Sequence, residues 1–212
     1  MKNYTHVIWD WNGTLLNDVD WNLACMNQLL TRRGLPPIAS LRHYRDIFGF
    51  PVRDYYLRAG LDLEREPFEE LAQEYIRLYS AGESQWSLFP DAPAVLAGLH
   101  NRGLTQVVLS ASQRDALAGQ AAQAQVAHFF DDLLGLDNIH AASKVAIGRD
   151  YMAAKSPEAA VLVGDTAHDA EVALELGVDC VLVAAGHQSL QTLESSGFPV
   201  VDSITDVPNL IL

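Results

Sequence analysis

The chain is expected to be an α/β protein: a doubly wound parallel sheet with one helical block inserted early. Two observations carry this expectation. Short apolar runs ending in polar or Gly-containing turns alternate with helical patterns through most of the sequence, as a parallel sheet covered on both faces requires. Between the first such run and the second, residues from about Asp18 to Ala81 show helical spacing and no obvious strand.

Val7 to Trp9 is the first strand, ending at Asp10. Trp21, Leu23, Ala24, Met26, Leu29 and Leu30 recur at helical spacing, and Gly34 with Pro36-Pro37 ends that helix. Ser40 to Ile47, Val52 to Ala59 and Phe68 to Tyr79 read as further helices, with a turn at Phe48-Gly49-Phe50-Pro51 and a glycine stop at Gly60. A linker over Gln85 to Asp91 leads to a helix over Ala92 to Asn101 and a second strand over Thr105 to Ser110. Ser112-Gln113-Arg114-Asp115 reads as a capping box opening an alanine-rich helix to about Ala127. A third strand lies within Phe129 to Leu136, followed by a loop over Ile139 to Lys144 and a helix over Val145 to Met152. Ala160 to Val163 is the fourth strand, Asp169 to Leu176 a helix closed by Gly177, and Asp179 to Val183 the fifth strand. A helix to about Ser195 and an edge strand at Val200-Val201 follow.

With 49% hydrophobic residues, the 212-residue chain can bury a sizeable core, as one large domain or a core plus a smaller module. No apolar run approaches the ~20 residues of a membrane span, and the opening residues read as a lead into a strand rather than a secretion signal. Cys25 and Cys180 lack metal-ligand spacing and are expected to be reduced thiols of a cytoplasmic protein. Fourteen Lys and Arg against 27 Asp and Glu give a net charge of −13, which argues against nucleic-acid backbones and anionic membranes as partners. A small anionic substrate remains compatible, because a metal and a few local cations reverse the field inside one cleft.

Two strand ends carry the chemistry. The first gives Asp10, Gly13 and Thr14; the second gives Gly164-Asp165, with Asp169 four residues on. Neighbouring parallel strands would bring Asp10 and Asp165 to one sheet edge, where open α/β sheets bind ligands. Two such carboxylates with nearby backbone oxygens suit a hard divalent cation such as Mg2+. Taken singly, each residue has a plainer reading: Asp10 as a turn former, Ser110 as a helix-entry residue, Lys144 as a solvated charge, Asp169 as a helix N-terminal acid, and His187 as a solvated loop histidine.

Together and in this order, these residues resemble the haloacid dehalogenase-like hydrolase superfamily, whose first motif is Asp-x-Asp-Gly-Thr and whose fourth is Gly-Asp-x-x-x-Asp. Ser110 and Lys144 stand at its second and third motifs, so the resemblance spans essentially the whole chain. Gly49 to Arg53 and Val181 to Ser189 look like its phosphoglycolate phosphatase-like branch. The resemblance implies a core of residues 1–16 and 85–212, a helical cap domain of residues 17–84, and Mg2+-dependent hydrolysis of a small phosphorylated metabolite. It implies that Asp10 is the nucleophile, that Ser110 and Lys144 bind the phosphoryl group, and that Asp10, Asp165 and the backbone carbonyl of Asn12 hold the metal, with Asp169 acting through water. Among the cap cations Arg42, His43, Arg45 and Arg53, the last is the expected substrate contact.

Asn12 departs from the family pattern, which places there an Asp that donates and then accepts a proton. An amide does neither, and general acid–base catalysis typically contributes ~10²–10⁴-fold. Three readings follow: a phosphatase that works slowly or borrows Asp18, Asp20 or His187; an enzyme for good leaving groups such as acyl phosphates; or a regulatory protein that binds metal or phosphate.

Overall fold

The computed structural model describes residues 2–82, 85–136 and 143–212. The chain enters through β1 (His6–Trp9), pairs briefly at β2 (Leu16–Asn17), and passes into four helices: α1 (Val19–Arg32), α2 (Leu41–Ile47), α3 (Val52–Arg58) and α4 (Phe68–Ser80). It returns through β3 (Ser87–Leu88), antiparallel to β2, so the outgoing and incoming strands leave the sheet side by side. Then follow α5 (Ala92–Asn101), β4 (Thr105–Gln113), α6 (Arg114–Gln123), β5 (Asp132–Leu136), α7 (Lys144–Lys155), β6 (Ala160–Gly164), α8 (Ala167–Leu176), β7 (Asp179–Val183), α9 (Leu190–Glu194), β8 (Val200–Val201) and α10 (Val207–Ile211).

Among the described residues the main sheet has six strands in the order β5-β4-β1-β6-β7-β8, and every pairing in it is parallel. β1 lies between β4 and β6, with Trp9 level with Val108 and Val163. The crossover from β1 outward to β4 and then back to β6 makes this the point where the winding reverses, and Asp10 stands at its carboxyl end. The pleat divides the buried side chains. Val7, Trp9, Val161 and Val163 pack toward α5 and α10, whereas Ile8, Val107, Leu109 and Leu162 pack toward α7 and α8. Both faces are therefore covered, which explains the nearly unbroken apolar strands. The inserted helices gather around their own apolar cluster, including Met26, Leu29, Tyr44, Tyr56 and Leu71.

Several expected details differ. β4 runs on past Ser110 to Gln113, with a register shift against β5 after Leu109. The capping box at Ser112 does not form: Gln113 is the N-cap of α6 and makes no side-chain cap bond, while the Ser112 hydroxyl donates to Asn12 Oδ1 at 2.7 Å. The alanine-rich helix stops at Gln123, and a 3-10 turn over Ala127–Phe129 precedes β5, so the third strand begins only at Asp132. Of the expected loop before α7, residues 139–142 lie outside those described, and Lys144 is the first residue of the helix, capped by the Ser143 hydroxyl.

Leu162 is fully buried on a central strand. Leu162→Ala should cost about 2–5 kcal/mol in a denaturant titration, the range for deleting a packed Leu side chain.

Candidate active site

The turn after β1 is built to place three groups at once. The Asp10 amide donates to the Val163 carbonyl, which extends the sheet by one residue and locks Asp10 beside the end of β6. The chain then folds back on itself, with Gly13, Leu15 and Leu16 tied to Trp11 and to one another through the backbone. Gly13 has φ +78, and a Cβ there would strike the Asp165 carboxylate and the His187 ring. Trp11 is fully buried, edge-on to Phe130, with Nε1 donating to Gln120 at 2.8 Å.

Asp10, Asp165 and Asp169 bring carboxylate oxygens within 4.8 Å of one another. Lys144 places its ammonium between two of them, 2.5 Å from Asp10 Oδ1 and 2.6 Å from Asp169 Oδ1. Its stem starts the first turn of α7 and its side chain is buried. Burial disfavours the ammonium, yet the two carboxylates outweigh that and hold the Lys144 pKa above the ordinary value. Asp165 Oδ1 accepts from the Thr14 hydroxyl at 3.0 Å and Oδ2 from the His187 amide at 2.6 Å. Asp169 Oδ2 accepts from the amides of Asp165 and Thr166 and from the Thr166 hydroxyl, closing a capping box at the start of α8.

One ammonium cannot neutralise three clustered carboxylates. Burial therefore pushes Asp10 up to about 6, against the pull of Lys144. It pushes Asp165 up to about 7, against the opposing effect of His187. Burial also acts on Asp169, but Lys144 and the Thr166 bonds overcome it and hold that carboxyl below the ordinary value. The donor set is all oxygen, compact and short of positive charge, which is the chemistry a hard divalent cation fits.

Beside this cluster stands a second buried network. Asn12 Nδ2 lies 2.8 Å from Asp18 Oδ2 and 3.0 Å from the Tyr79 hydroxyl, which itself donates to Asp18 at 2.7 Å. Asp18 Oδ1 accepts from the Gly13 amide and faces His187 Nε2 at 3.2 Å. The other ring nitrogen of His187 meets the Tyr44 hydroxyl at 2.8 Å. The expectation of a solvated His187 is thus corrected: the ring is buried, stacked on Phe48 and held from both sides. Burial alone would lower its pKa, but Asp18, with Asp165 and Asp10 behind it, raises it instead. Asp18, also buried, is held below the ordinary carboxylate value, since His187, Asn12 and Tyr79 together outweigh desolvation.

Ser110 is buried and lines the same cavity, with its Oγ accepting from the Ser112 amide at 3.0 Å. Asp20 is exposed on α1. Arg53 is also exposed, and the described cavity lining does not include it. Of the basic group on the inserted helices, Arg45 is firmly engaged. Its guanidinium donates to the carbonyls of Ala185 and Gly186, at 2.6 and 2.8 Å, tying α2 to the loop that carries His187. Gln188 strengthens this tie, accepting from the Ala167 amide and donating to the Phe48 carbonyl. Single-residue reading missed Tyr44, Tyr79 and the role of Ser112. The available signal was position: Gly186 and His187 follow β7 at the same sheet edge as Asp10 and Asp165.

The sheet order, the strand-end carboxylates and the buried lysine together define a hydrolase of the haloacid dehalogenase-like class. The chain matches the haloacid dehalogenase-like hydrolase family over residues 7–183 and belongs to it. Among curated proteins it is similar to a phosphoglycolate phosphatase from Caulobacter vibrioides, at 29% identity over 97% of this chain and 90% of the relative, which sets it on the phosphoglycolate phosphatase-like branch. It is 26% identical to the tyrosine-protein kinase PtkA of Mycobacterium tuberculosis, over 96% of this chain and 70% of that one. A haloacid dehalogenase-like family hydrolase from Streptococcus pneumoniae shares the fold, with a TM-score of 0.84 at 20% identity and full coverage of both chains.

Gly13→Ala combines a left-handed backbone with a direct clash against Asp165. It should lower the unfolding midpoint by an amount corresponding to about 1–3 kcal/mol in a thermal or denaturant scan. An unchanged midpoint would mean that the turn after β1 is not held as described.

Proposed function

We propose that the protein is a Mg2+-dependent phosphatase acting on a small phosphate monoester through an aspartyl-phosphate on Asp10. In this reading residues 17–84 form a cap domain over a core of residues 1–16 and 85–212. The observation that carries it is the Asp10 carboxylate at the reversal point of the sheet, with one oxygen held by Lys144 and the Asp165 and Asp169 carboxylates beside it. Asp10, Asp165 and the Asn12 carbonyl would hold the cation, with Asp169 acting through water. When bound, Mg2+ supplies charge neutralisation for the phosphoryl oxygens.

The chain's own groups then divide the work. Asp10 supplies the oxygen that attacks phosphorus; the bond to the leaving oxygen breaks as the acyl phosphate forms. Lys144, already charged and buried, offers its ammonium to the equatorial oxygens. The Ser110 oxygen accepts from the Ser112 amide, so its proton is free to be donated to a phosphoryl oxygen. Water attacks phosphorus in the second step, releasing inorganic phosphate and restoring Asp10. Asp169 positions Lys144 and ties it to the start of α8. Asp10→Asn should reduce Mg2+-dependent phosphate release to background with the circular dichroism spectrum unchanged. Asp165→Ala should weaken Mg2+ binding in calorimetry, and Asp169→Ala should weaken it by only ~10–100-fold. Parent-level turnover in Asp10→Asn would remove the reading.

Asn12 explains which phosphates suit such a site. Its amide oxygen accepts from Ser112 and its amide nitrogen donates toward Asp18 and Tyr79, so it has no proton to exchange with a leaving group. This favours esters that leave without protonation. Of the groups considered as substitutes, Asp20 is exposed on α1, while Asp18 and His187 are engaged with one another. In Asn12→Asp the introduced carboxyl would face Asp18 across a hydrogen-bond distance, and two such neighbours hold one proton between them. That proton is what an alkyl leaving group needs. Asn12→Asp should therefore raise kcat/KM for an alkyl phosphate by up to ~10²–10⁴-fold, and far less for an aryl phosphate. Equal changes for both substrates would show that position 12 is not the missing proton donor.

A further inference from the structure

The space above Asp10 differs in character from its floor. A single cavity of about 360 Å³ holds Asp10, Asn12, Ser110 and Lys144 at one end. Much of its remaining wall comes from the inserted segment and is aromatic and aliphatic, with Phe48, Phe50, Tyr55, Tyr56, Tyr75 and Ile76, while polar side chains such as Asn22 and His168 line it as well. That volume is within the range of small-molecule sites. The basic side chains among the described lining residues already have partners: the Lys144 ammonium lies against Asp10 and Asp169, and the rings of His187 and His168 meet Asp18 and Glu171. No arginine belongs to the described lining.

We propose that the substrate is an aryl phosphate: a monoester of a phenolic oxygen, with its uncharged ring against the aromatic wall and its phosphoryl group at Asp10. This deepens the phosphatase reading above and rests on it. Two independent features converge. The wall rewards an aromatic ring and penalises a carboxylate, whose burial without a partner costs several kcal/mol. The amide at position 12 cannot protonate a departing alkoxide, and a phenoxide leaves without that help. In the first step the phenolic oxygen departs with the bonding pair as Asp10 bonds to phosphorus, and it takes its proton from solvent. Water then cleaves the acyl phosphate, giving inorganic phosphate and a phenol. A substrate with a carboxylate beside the phosphoryl group, such as phosphoglycolate, meets neither feature.

The test compares phenyl phosphate with 2-phosphoglycolate in Mg2+-containing buffer, alongside calorimetric binding of the inert analogues phenylphosphonate and phosphonoacetate. The expected result is a kcat/KM on the order of 100-fold higher for phenyl phosphate, with phenylphosphonate the tighter ligand. Ile76 is half exposed on α4, so Ile76→Arg places a cation at the cavity without disturbing packing, and it should narrow the ratio between the two substrates. Equal or better use of phosphoglycolate, or tighter binding of phosphonoacetate, would overturn the proposal while leaving the phosphatase reading intact. Preferential binding of phenylphosphonate with no Asp10-dependent turnover of either ester would remove the phosphatase reading and support the recognition claimed for the aromatic wall.

Discussion

Lys144 placed between Asp10 and Asp169 is the interaction on which the candidate site depends. Three carboxylates drawn to one buried sheet edge repel one another, and water is excluded from most of the cluster. The ammonium relieves part of that repulsion and leaves the rest as a standing demand for positive charge. It also links two parts of the chain that only the fold unites, the turn after β1 and the capping box of α8, through a residue on α7. Removing the ammonium would leave buried charges uncompensated, which is far more costly than never burying them.

The second network gives this cluster its roof. Asp18 begins the inserted segment, His187 sits on the loop after β7, and Tyr44 and Tyr79 come from α2 and α4. Their hydrogen bonds, with those from Arg45 to the 185–186 carbonyls, hold the inserted helices against the carboxyl end of the sheet. Asn12 belongs to both networks. Its side chain is held by Ser112, Asp18 and Tyr79. An amide there trades proton transfer for a neutral, fully engaged group beside Asp18, which avoids two carboxylates in contact. The loss of an acid and the aromatic character of the cavity wall therefore point the same way chemically.

Much of this was legible from local pattern. Apolar runs buried on both faces have the same signature whether they are read from sequence or from the sheet, and Asp10, Asp165 and Asp169 announced themselves at strand ends and in a helix's first turn. Lys144 and Ser110 gained meaning only from their order relative to those residues. Other features depended on distant partners. Ser112 looks like a helix cap until Asn12, one hundred residues away in sequence, offers its carbonyl. His187 looks solvated until Phe48 and Tyr44 of the inserted helices cover it. The paired β2 and β3 are two residues each, too short for any periodicity, and they exist because the chain leaves and rejoins the core at one place. Arg53 belongs to a basic cluster on the inserted segment, but local charge says nothing about the face of α3 on which it lies, and there it is exposed.

The central claim is that Asp10 carries the phosphoryl group. Borohydride quenching of the enzyme during steady-state turnover, followed by peptide mass spectrometry, tests it most directly, because borohydride reduces an acyl phosphate to the alcohol. The account predicts homoserine in place of Asp10 in the peptide that contains Trp9 and Trp11, only when substrate and Mg2+ are present. Turnover that continues with Asp10 unmodified, and with the label on another residue or on none, would contradict it.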